Sequence, residues 1–502
     1  MPALETAYDQ LVSCFRRRGA LEEAAGVLHW DTATLMPSGG AEARGEQIAT
    51  LNVLSHELLT DTRLSDLLDA AEDDVSALDA WQAANLREMR RSWRHATAVE
   101  SRLVAAETKA ASRCEMVWRE ARSKGKFGLV VPALNELLGL VREVAAAKAE
   151  ALGCTPYAAL LDQFEPGGDV EKIDAIFADL AAFLPAFLQE VLAAQAEAAK
   201  PAVPKGPFGL DRQETLARDL MTRVGFDFDH GRLDVSLHPF CGGVPDDVRI
   251  TTRYDEKDFL KALMGVLHET GHALYERGLP ADWRLQPVGQ ARGMVMHESQ
   301  SLLIEMQACR SAAFVSFMAP RAREAFGGKG PAWETDNLVR LINRVAPGFI
   351  RVDADEVTYP LHIILRTRLE RALIAGEMAV EDLPAAWNEA MAELLDLTPR
   401  NDSEGCLQDI HWYSGAWGYF PTYTLGAMTA AQLFATAQRR IPDLMDRIAA
   451  GDFSALLDFL RREIHSRGSS LSGEAILQAA SGSPLDAEVF KAHLRTRYLP
   501  AG

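Results

Sequence analysis

Helix-forming residues, with apolar positions recurring every three to four places, run through almost the whole of this 502-residue chain. That period leaves few folds other than packed helices. It is plainest from WQAANLREMRRSW, starting at Trp81, to GLVREVAAAKAEALG, starting at Gly139, and again in VEKIDAIFADLAAFLPAFLQEVLAAQAEAAK from Val170. No repeat of fixed period accompanies it, so a helical solenoid has little support. The pattern breaks at PAVPKGPFG, Pro201 to Gly209, read here as a joint between halves 1–200 and 201–502 of one unit. A helix follows, then RLDVSLHPFCGG and VRITTRYD, whose β-branched residues partly alternate around a turn region at Gly242, Gly243 and Pro245. After Asp258 the helical pattern returns, interrupted by loops from Gly327 and from Thr398. The expectation is a mainly α fold with one small β-sheet near the middle of the chain.

Charge and cysteine usage narrow the class. Lys and Arg number 52 against 71 Asp and Glu, a formal net charge of −19. Such a surface repels phosphate backbones, so a nucleic-acid partner is not expected. Cys14, Cys114, Cys154, Cys241, Cys309 and Cys406 are scattered, with no CxxC pair, as expected of reduced thiols in a cytoplasm. The first residues lack an apolar signal core, and no run reaches the roughly 18 consecutive apolar residues that span a bilayer. A cytoplasmic protein without a membrane partner is the expectation.

The chemistry concentrates in DFLKALMGVLHETGHALYERG. His268 and His272 stand four apart, on one helix face. Two imidazoles so placed grip one cation at about 2.0–2.1 Å per bond. Glu269 follows the first histidine and sits beside the cation without ligating it, the zinc-peptidase pattern with Glu as general base. A helix can also hold two histidines without metal. Here Leu263, Met264, Val266, Leu267 and Ala273 surround the motif, so buried imidazoles need partners. A third ligand is required. In one class of HExxH peptidases that ligand is a Glu on the next long helix, and Glu298, 26 positions after His272 in a second helical stretch, fits that, with His297 as its neighbouring competitor. The two point in different directions, so only one is expected to bind. The bland reading of Glu298 is a solvated surface carboxylate. An Asp one turn later orients a ligand histidine in related sites. Here that position is Leu302, so the orienter lies elsewhere.

Taken together, the chain resembles the carboxypeptidase Taq family of metallocarboxypeptidases. The resemblance rests on HPF (His238–Phe240), DVRIT (Asp247–Thr251), HETGH (His268–His272) and HESQS (His297–Ser301). It extends to IRVDAD (Ile350–Asp355), GCLQDIHW (Gly405–Trp412) and GYFPTYTLG (Gly418–Gly426). LHWDTATLMPSGGAEARGEQ and the PYAALLDQFEPG segment carry it into the amino-terminal half. It implies a large helical zinc-peptidase fold with a deep groove, commonly a homodimer. It also implies one divalent metal ion, zinc or cobalt, and release of single residues from the C-termini of peptides.

In that chemistry the metal at His268, His272 and Glu298 activates a water, and Glu269 takes its proton and passes it to the leaving amine. Tyr423, Tyr419 and His411 are candidate donors to the oxyanion, each about 3 kcal/mol if aimed correctly. An ordinary buried aromatic is the alternative for either tyrosine. An exopeptidase also needs a cation for the terminal carboxylate. Arg351 and Arg249 are the candidates, and salt bridges to Asp353, Asp355 or Asp247 are the bland reading of both. His238 is either a substrate contact or a loop-fixing group. An endo-oligopeptidase with the same metal site is the competing activity, and a non-enzymatic scaffold the third reading. A scaffold has no need of Glu269.

Overall fold

A computed structural model describes residues 5–499. The amino-terminal helices are α1 (Ala7–Thr34), α2 (Ala41–Leu59), α3 (Arg63–Asp73) and α4 (Ala80–Thr97). Then come α5 (Ser101–Lys124), α6 (Val131–Leu152), α7 (Pro156–Leu161), α8 (Val170–Glu197) and α9 (Leu210–Val224). Strands β1 (Gly231–Val235), β2 (Cys241–Val244) and β3 (Asp247–Thr252) precede α10 (Phe259–Gly278) and α11 (Gly293–Leu302). Next are α12 (Ala312–Phe326), α13 (Thr335–Ile342), α14 (Tyr359–Ala375), α15 (Leu383–Leu395) and α16 (Pro421–Arg440). Four helices close the chain, α17 (Leu444–Ala449), α18 (Ser454–Glu463), α19 (Gly473–Ser481) and α20 (Ala487–Tyr498). The molecule is mainly α with one small sheet, as the residue periodicity predicts.

The sheet differs in detail from the sequence reading. Its order is β1-β3-β2, with β1 parallel to β3 and β2 antiparallel to it. Gly242 and Gly243 lie inside β2 rather than in a turn, and the hairpin bend follows at Val244–Asp247. Gly243 has φ +85°, and a Cβ there would stand 2.2 Å from the Asp247 carbonyl oxygen. The glycine pair therefore serves the close approach of two strands, a use of Gly that composition alone does not separate from a turn.

One large apolar cluster runs from Ala110 to Tyr498, on both sides of the Pro201–Gly209 segment. A smaller one, from Tyr8 to Met89, ties α1, α3 and α4 together. Helix α8, with 28 residues, is long and apolar enough to cross a bilayer. Ile173, Phe177, Leu180, Leu184, Phe187, Leu188 and Val191 on it are buried in the large cluster.

Three elements converge where the HETGH motif lies. Asp258 caps α10 by accepting from the Leu260 and Lys261 N–H groups at 3.0 and 3.2 Å, which fixes where that helix starts. Helix α11 then packs between α10 and α16 at backbone distance. A Cβ on Gly271 would be 2.5 Å from the Gln300 carbonyl oxygen and 2.6 Å from Ser301 Cα. A Cβ on Gly426 would be 2.9 Å from Glu298 Cβ. After α11 the chain widens into a π-helical stretch, Leu303–Cys309, of the kind found at functional sites.

Gly271→Ala therefore forces α10 and α11 apart. The expected cost is about 1–3 kcal/mol, read as a lowered denaturant midpoint, with weaker metal binding in the same variant.

Candidate metal centre and active site

His268 and His272 stand one turn apart on α10, and Glu298 faces them from α11. His272 Nε2 lies 3.4 Å, and His268 Nε2 3.9 Å, from Glu298 Oε2. Four-coordinate zinc with ligands at about 2.0–2.1 Å sets its donors about 3.3–3.4 Å apart, so this set fits a metal of that class with little adjustment. His268, His272 and Glu298 form the one such group of His, Cys, Asp and Glu donors among the described residues.

The hydrogen bonds behind the imidazoles fix which nitrogens face the metal position. Glu305 Oε2 lies 3.0 Å from His268 Nδ1, and Arg310 Nη2 donates to Glu305 Oε1 at 2.6 Å. The His268 Nδ1–H thus points at a carboxylate, leaving Nε2 for the cation. On His272 the second nitrogen meets His297, with the two Nδ1 atoms 2.6 Å apart. His297 Nε2 in turn lies 2.7 Å from Glu276 Oε1. Glu276 can only accept, so His297 carries its proton on Nε2 and accepts at Nδ1 from His272. His272 Nε2 is left with a free lone pair. His297 thus bonds to His272 and Glu276 and stands outside the candidate donor set.

Sequence reasoning missed Glu305 and Glu276. Both had a signal. Glu276 continues the four-residue spacing of His268 and His272, and Glu305 lies two turns after Glu298 in an otherwise apolar run.

Electrostatics bear the same stamp. Burial alone would depress the His268 imidazolium, but Glu298, Glu305 and Glu269 outweigh it and raise the group to about 10. His272 goes the other way, to about 4, through burial and the neighbouring His297 and His268. Burial raises Glu269 to about 7 against the pull of His268, with Glu298 pushing the same way as burial. Glu298 falls to about 2 despite burial, because both histidines favour its charge. Without a cation, then, the pocket holds its charge balance by keeping a proton on His268.

A second cluster faces this one. His411 Nε2 lies 3.1 Å from Tyr423 Oη, and the Tyr419 and Tyr423 rings meet edge-on at 5.1 Å. Burial pushes Tyr423 up to about 12, against the Arg351 charge, and burial also raises Tyr419, so both keep their protons. Burial and the two nearby guanidinium groups hold His411 down at about 4, against Asp409. Arg351 lies under Tyr423, 4.9 Å from its ring centroid, and donates to Tyr359 Oη at 3.2 Å and to Asp409 at 2.8 and 3.0 Å. Asp409 is shared, since Arg366 Nε donates to its other oxygen at 2.6 Å. Two buried guanidinium groups on one carboxylate leave a positive surplus. Neither Asp409, Arg366 nor Tyr359 was singled out from sequence.

The remaining candidates lie elsewhere. Arg249 on β3 pairs with Asp247 at 2.6 Å and covers the Trp30 ring of α1 at 4.4 Å. His238 is exposed, and its carbonyl accepts from Ser236 Oγ at 2.6 Å. Asp353 pairs with Lys261, and Asp355 accepts from the backbone at 346, 357 and 358, so neither pairs with Arg351.

The family model for the carboxypeptidase Taq (M32) metallopeptidases matches residues 10–498. The chain belongs to that family. It is a metal-dependent carboxypeptidase acting on peptides. It is 37% identical to thermostable carboxypeptidase 1 of Thermus thermophilus, over 98% of each chain. To carboxypeptidase 1 of Bacillus subtilis it is 34% identical, over 99% of this chain and 98% of that one. Among solved structures, metallocarboxypeptidase 1 of Trypanosoma cruzi superposes with a TM-score of 0.97 at 42% identity, covering 98% of this chain and 99% of that one. The sequence resemblance to this family is borne out, and so is the mainly α architecture.

A cation held by His268, His272 and Glu298 would compete with the proton that the surrounding carboxylates favour on His268. With His268 raised to about 10, metal affinity is expected to rise with pH across the neutral range, by up to about tenfold per unit from this one group. Calorimetry at pH 7 in buffers of different ionisation enthalpy is expected to find about one proton released from it. Glu305→Gln should weaken metal binding about 10–100-fold, measured by chelator competition.

Proposed function

We propose that this carboxypeptidase removes single residues by general-base hydrolysis, with Glu269 as base and with His268, His272 and Glu298 holding zinc or cobalt. The observation that carries the reading is the convergence of two imidazole Nε2 atoms on Glu298 Oε2, at 3.9 and 3.4 Å, beside a buried Glu269. Two nitrogens and one carboxylate suit zinc and its close neighbours. The cation, when bound, supplies Lewis acidity that polarises the scissile carbonyl and acidifies the attacking water.

The protein groups do the rest. Glu269, buried and raised to about 7, takes the water's proton near neutral pH and returns it to the leaving amine. Tyr423 and Tyr419, which keep their hydroxyl protons, donate to the oxyanion, and neutral His411 orients Tyr423 through the 3.1 Å contact. Arg351 receives the terminal carboxylate. Its support is the positive surplus of Arg351 and Arg366 over Asp409, and its contact with Tyr359 and Tyr423, both of which feel the Glu298 charge. Arg249, covering Trp30 and paired with Asp247, suits a role in holding α1 against the sheet, and exposed His238 suits loop fixing.

The proposal includes a cytoplasmic home, supported by six cysteines with no disulfide among the described residues. It also includes a homodimer, supported by the family resemblance and checked by light scattering.

Mass spectrometry of a defined peptide, free and amidated at its C-terminus, tests the reading. Stepwise loss of C-terminal residues, blocked by amidation, is expected. Glu269→Gln should abolish turnover while metal binding persists, and retained activity there would sink the mechanism. Arg351→Gln should cost about 2 kcal/mol, roughly thirtyfold in kcat/KM, and should narrow the preference for the free carboxylate.

A further inference from the structure

The stretch from α7 to Gly168 is remote in sequence from every group above, yet it touches both walls of the site. Tyr157 Oη donates to Glu370 at 2.8 Å. The same carboxylate accepts from Trp412 Nε1 at 2.7 Å and from the Gly418 N–H at 3.0 Å, at either end of the loop after His411. Gly418 has φ +90°, and a Cβ on it would stand 2.8 Å from the Leu160 carbonyl carbon. That loop therefore rests directly on the backbone of α7. The Phe164 ring meets Tyr419 edge-on at 4.9 Å.

On its other side the stretch caps the helix that carries Glu298. The Met294 N–H donates to the Phe164 carbonyl at 2.7 Å, and the Val295 N–H to Glu165 Oε2 at 3.0 Å. Both belong to the first turn of α11, whose N–H groups have no partner within the helix. A Cβ on Gly293 would stand 2.7 Å from Glu165 Oε2, and one on Gly473, the first residue of α19, 3.0 Å from Oε1. The carboxylate thus lies at the amino ends of two helices, where negative charge is favoured, although burial outweighs the Val295 N–H and raises it to about 7. No ion pair joins Glu165 to a basic side chain among the described residues. Two residues before Phe164, Asp162 is held from α4 by Arg91 at 3.0 Å and His95 at 2.7 Å, so the bracket is anchored at its far side.

We infer that Glu165 is a positioning residue. It caps α11 from the amino-terminal half while the adjoining Phe164 backs Tyr419, and so fixes the separation between Glu298 and the tyrosine wall. The inference rests on the proposed ligand role of Glu298. Losing the cap frees the start of α11, three residues before the ligand, and shifts Glu298 relative to the two histidines. Arg351 lies on a separate segment, so substrate binding changes little.

The test compares Glu165→Ala and Glu165→Gln with the natural enzyme in two readouts, metal affinity by chelator competition and the split between kcat and KM. For Glu165→Ala the metal dissociation constant should rise about tenfold, and kcat should fall with KM nearly unchanged. Glu165→Gln keeps an acceptor for Val295 but cannot carry the charge that Glu165 holds above pH about 7, so at pH 8 the same quantities should move about threefold in the same direction. That variant carries the test if the alanine form does not fold. An unchanged metal affinity and kcat in the folded variant overturns the inference, as does a raised KM with kcat and metal affinity intact. Glu298→Ala, measured alongside, separates the two claims. If it keeps its metal, the ligand reading fails. If it loses its metal while Glu165→Ala matches the natural enzyme, only the cap fails.

Discussion

Helix α11 lies between α10 and α16 with no side chain to spare at the two crossing points. Gly271 sits against the Gln300–Ser301 backbone, and Gly426 against the Glu298 side chain. Interiors packed to this density transmit a displacement rather than absorb it. The candidate donor set depends on that closeness, because two imidazoles on one helix and a carboxylate on another come within 3.4–3.9 Å only when the helices approach this far. The glycines thus come before the ligands in the causal order. A chain with HETGH but a larger residue at position 426 would carry the same donors at the wrong separation.

Around that crossing, burial turns every charge into a commitment. Glu269, Glu298 and Glu305 share a space from which water is largely excluded, with Arg310 as the one permanent counter-charge among the described residues, at Glu305. A buried unpaired carboxylate is costly, so the pocket takes up either a proton on His268 or a divalent cation. The two fates compete for one nitrogen, which makes metal affinity and pH a single variable here. The relay from Glu276 through His297 to His272 acts in the same sense. It sets the tautomer of a neutral imidazole, so that a lone pair faces the cation without any proton having to leave.

What was legible in the sequence follows from local geometry. The spacing of His268 and His272 is a property of any α-helix, so it announces a shared face wherever the helix goes. Glu298 was legible because one class of HExxH peptidases takes a third ligand Glu from the next long helix, while His297 beside it was left as a competitor that only the fold could set aside. The partners were harder. Glu305 lies in a π-helical stretch, where the expected one-turn offset at Leu302 does not apply. Asp409 and Arg366 are separated by 43 residues and meet only through the tertiary fold. The sheet was legible as β-branched text, but its order was not. A parallel β1–β3 pair with β2 on the far edge depends on long-range packing that alternation does not encode. Glu165 was not singled out, because nothing local distinguishes a carboxylate facing solvent from one facing a helix end.

The site is polar along its length as well as buried. At one end Glu269, Glu298 and Glu305 crowd the candidate metal pocket, balanced by Arg310 and the raised His268. At the other, Arg351 and Arg366 outnumber Asp409. Tyr359 and Tyr423 lie between, each feeling both Glu298 and Arg351. A peptide entering that field is sorted by its ends. On the roles proposed for Arg351 and Glu269, its terminal carboxylate would be drawn to the guanidinium end and its last amide left beside Glu269, the registration an exopeptidase needs. Asp409 tempers this attraction. A full double positive charge in a buried site would bind any anion, product included, and slow its release. One shared carboxylate leaves enough charge to register the substrate and little enough to let the freed amino acid go.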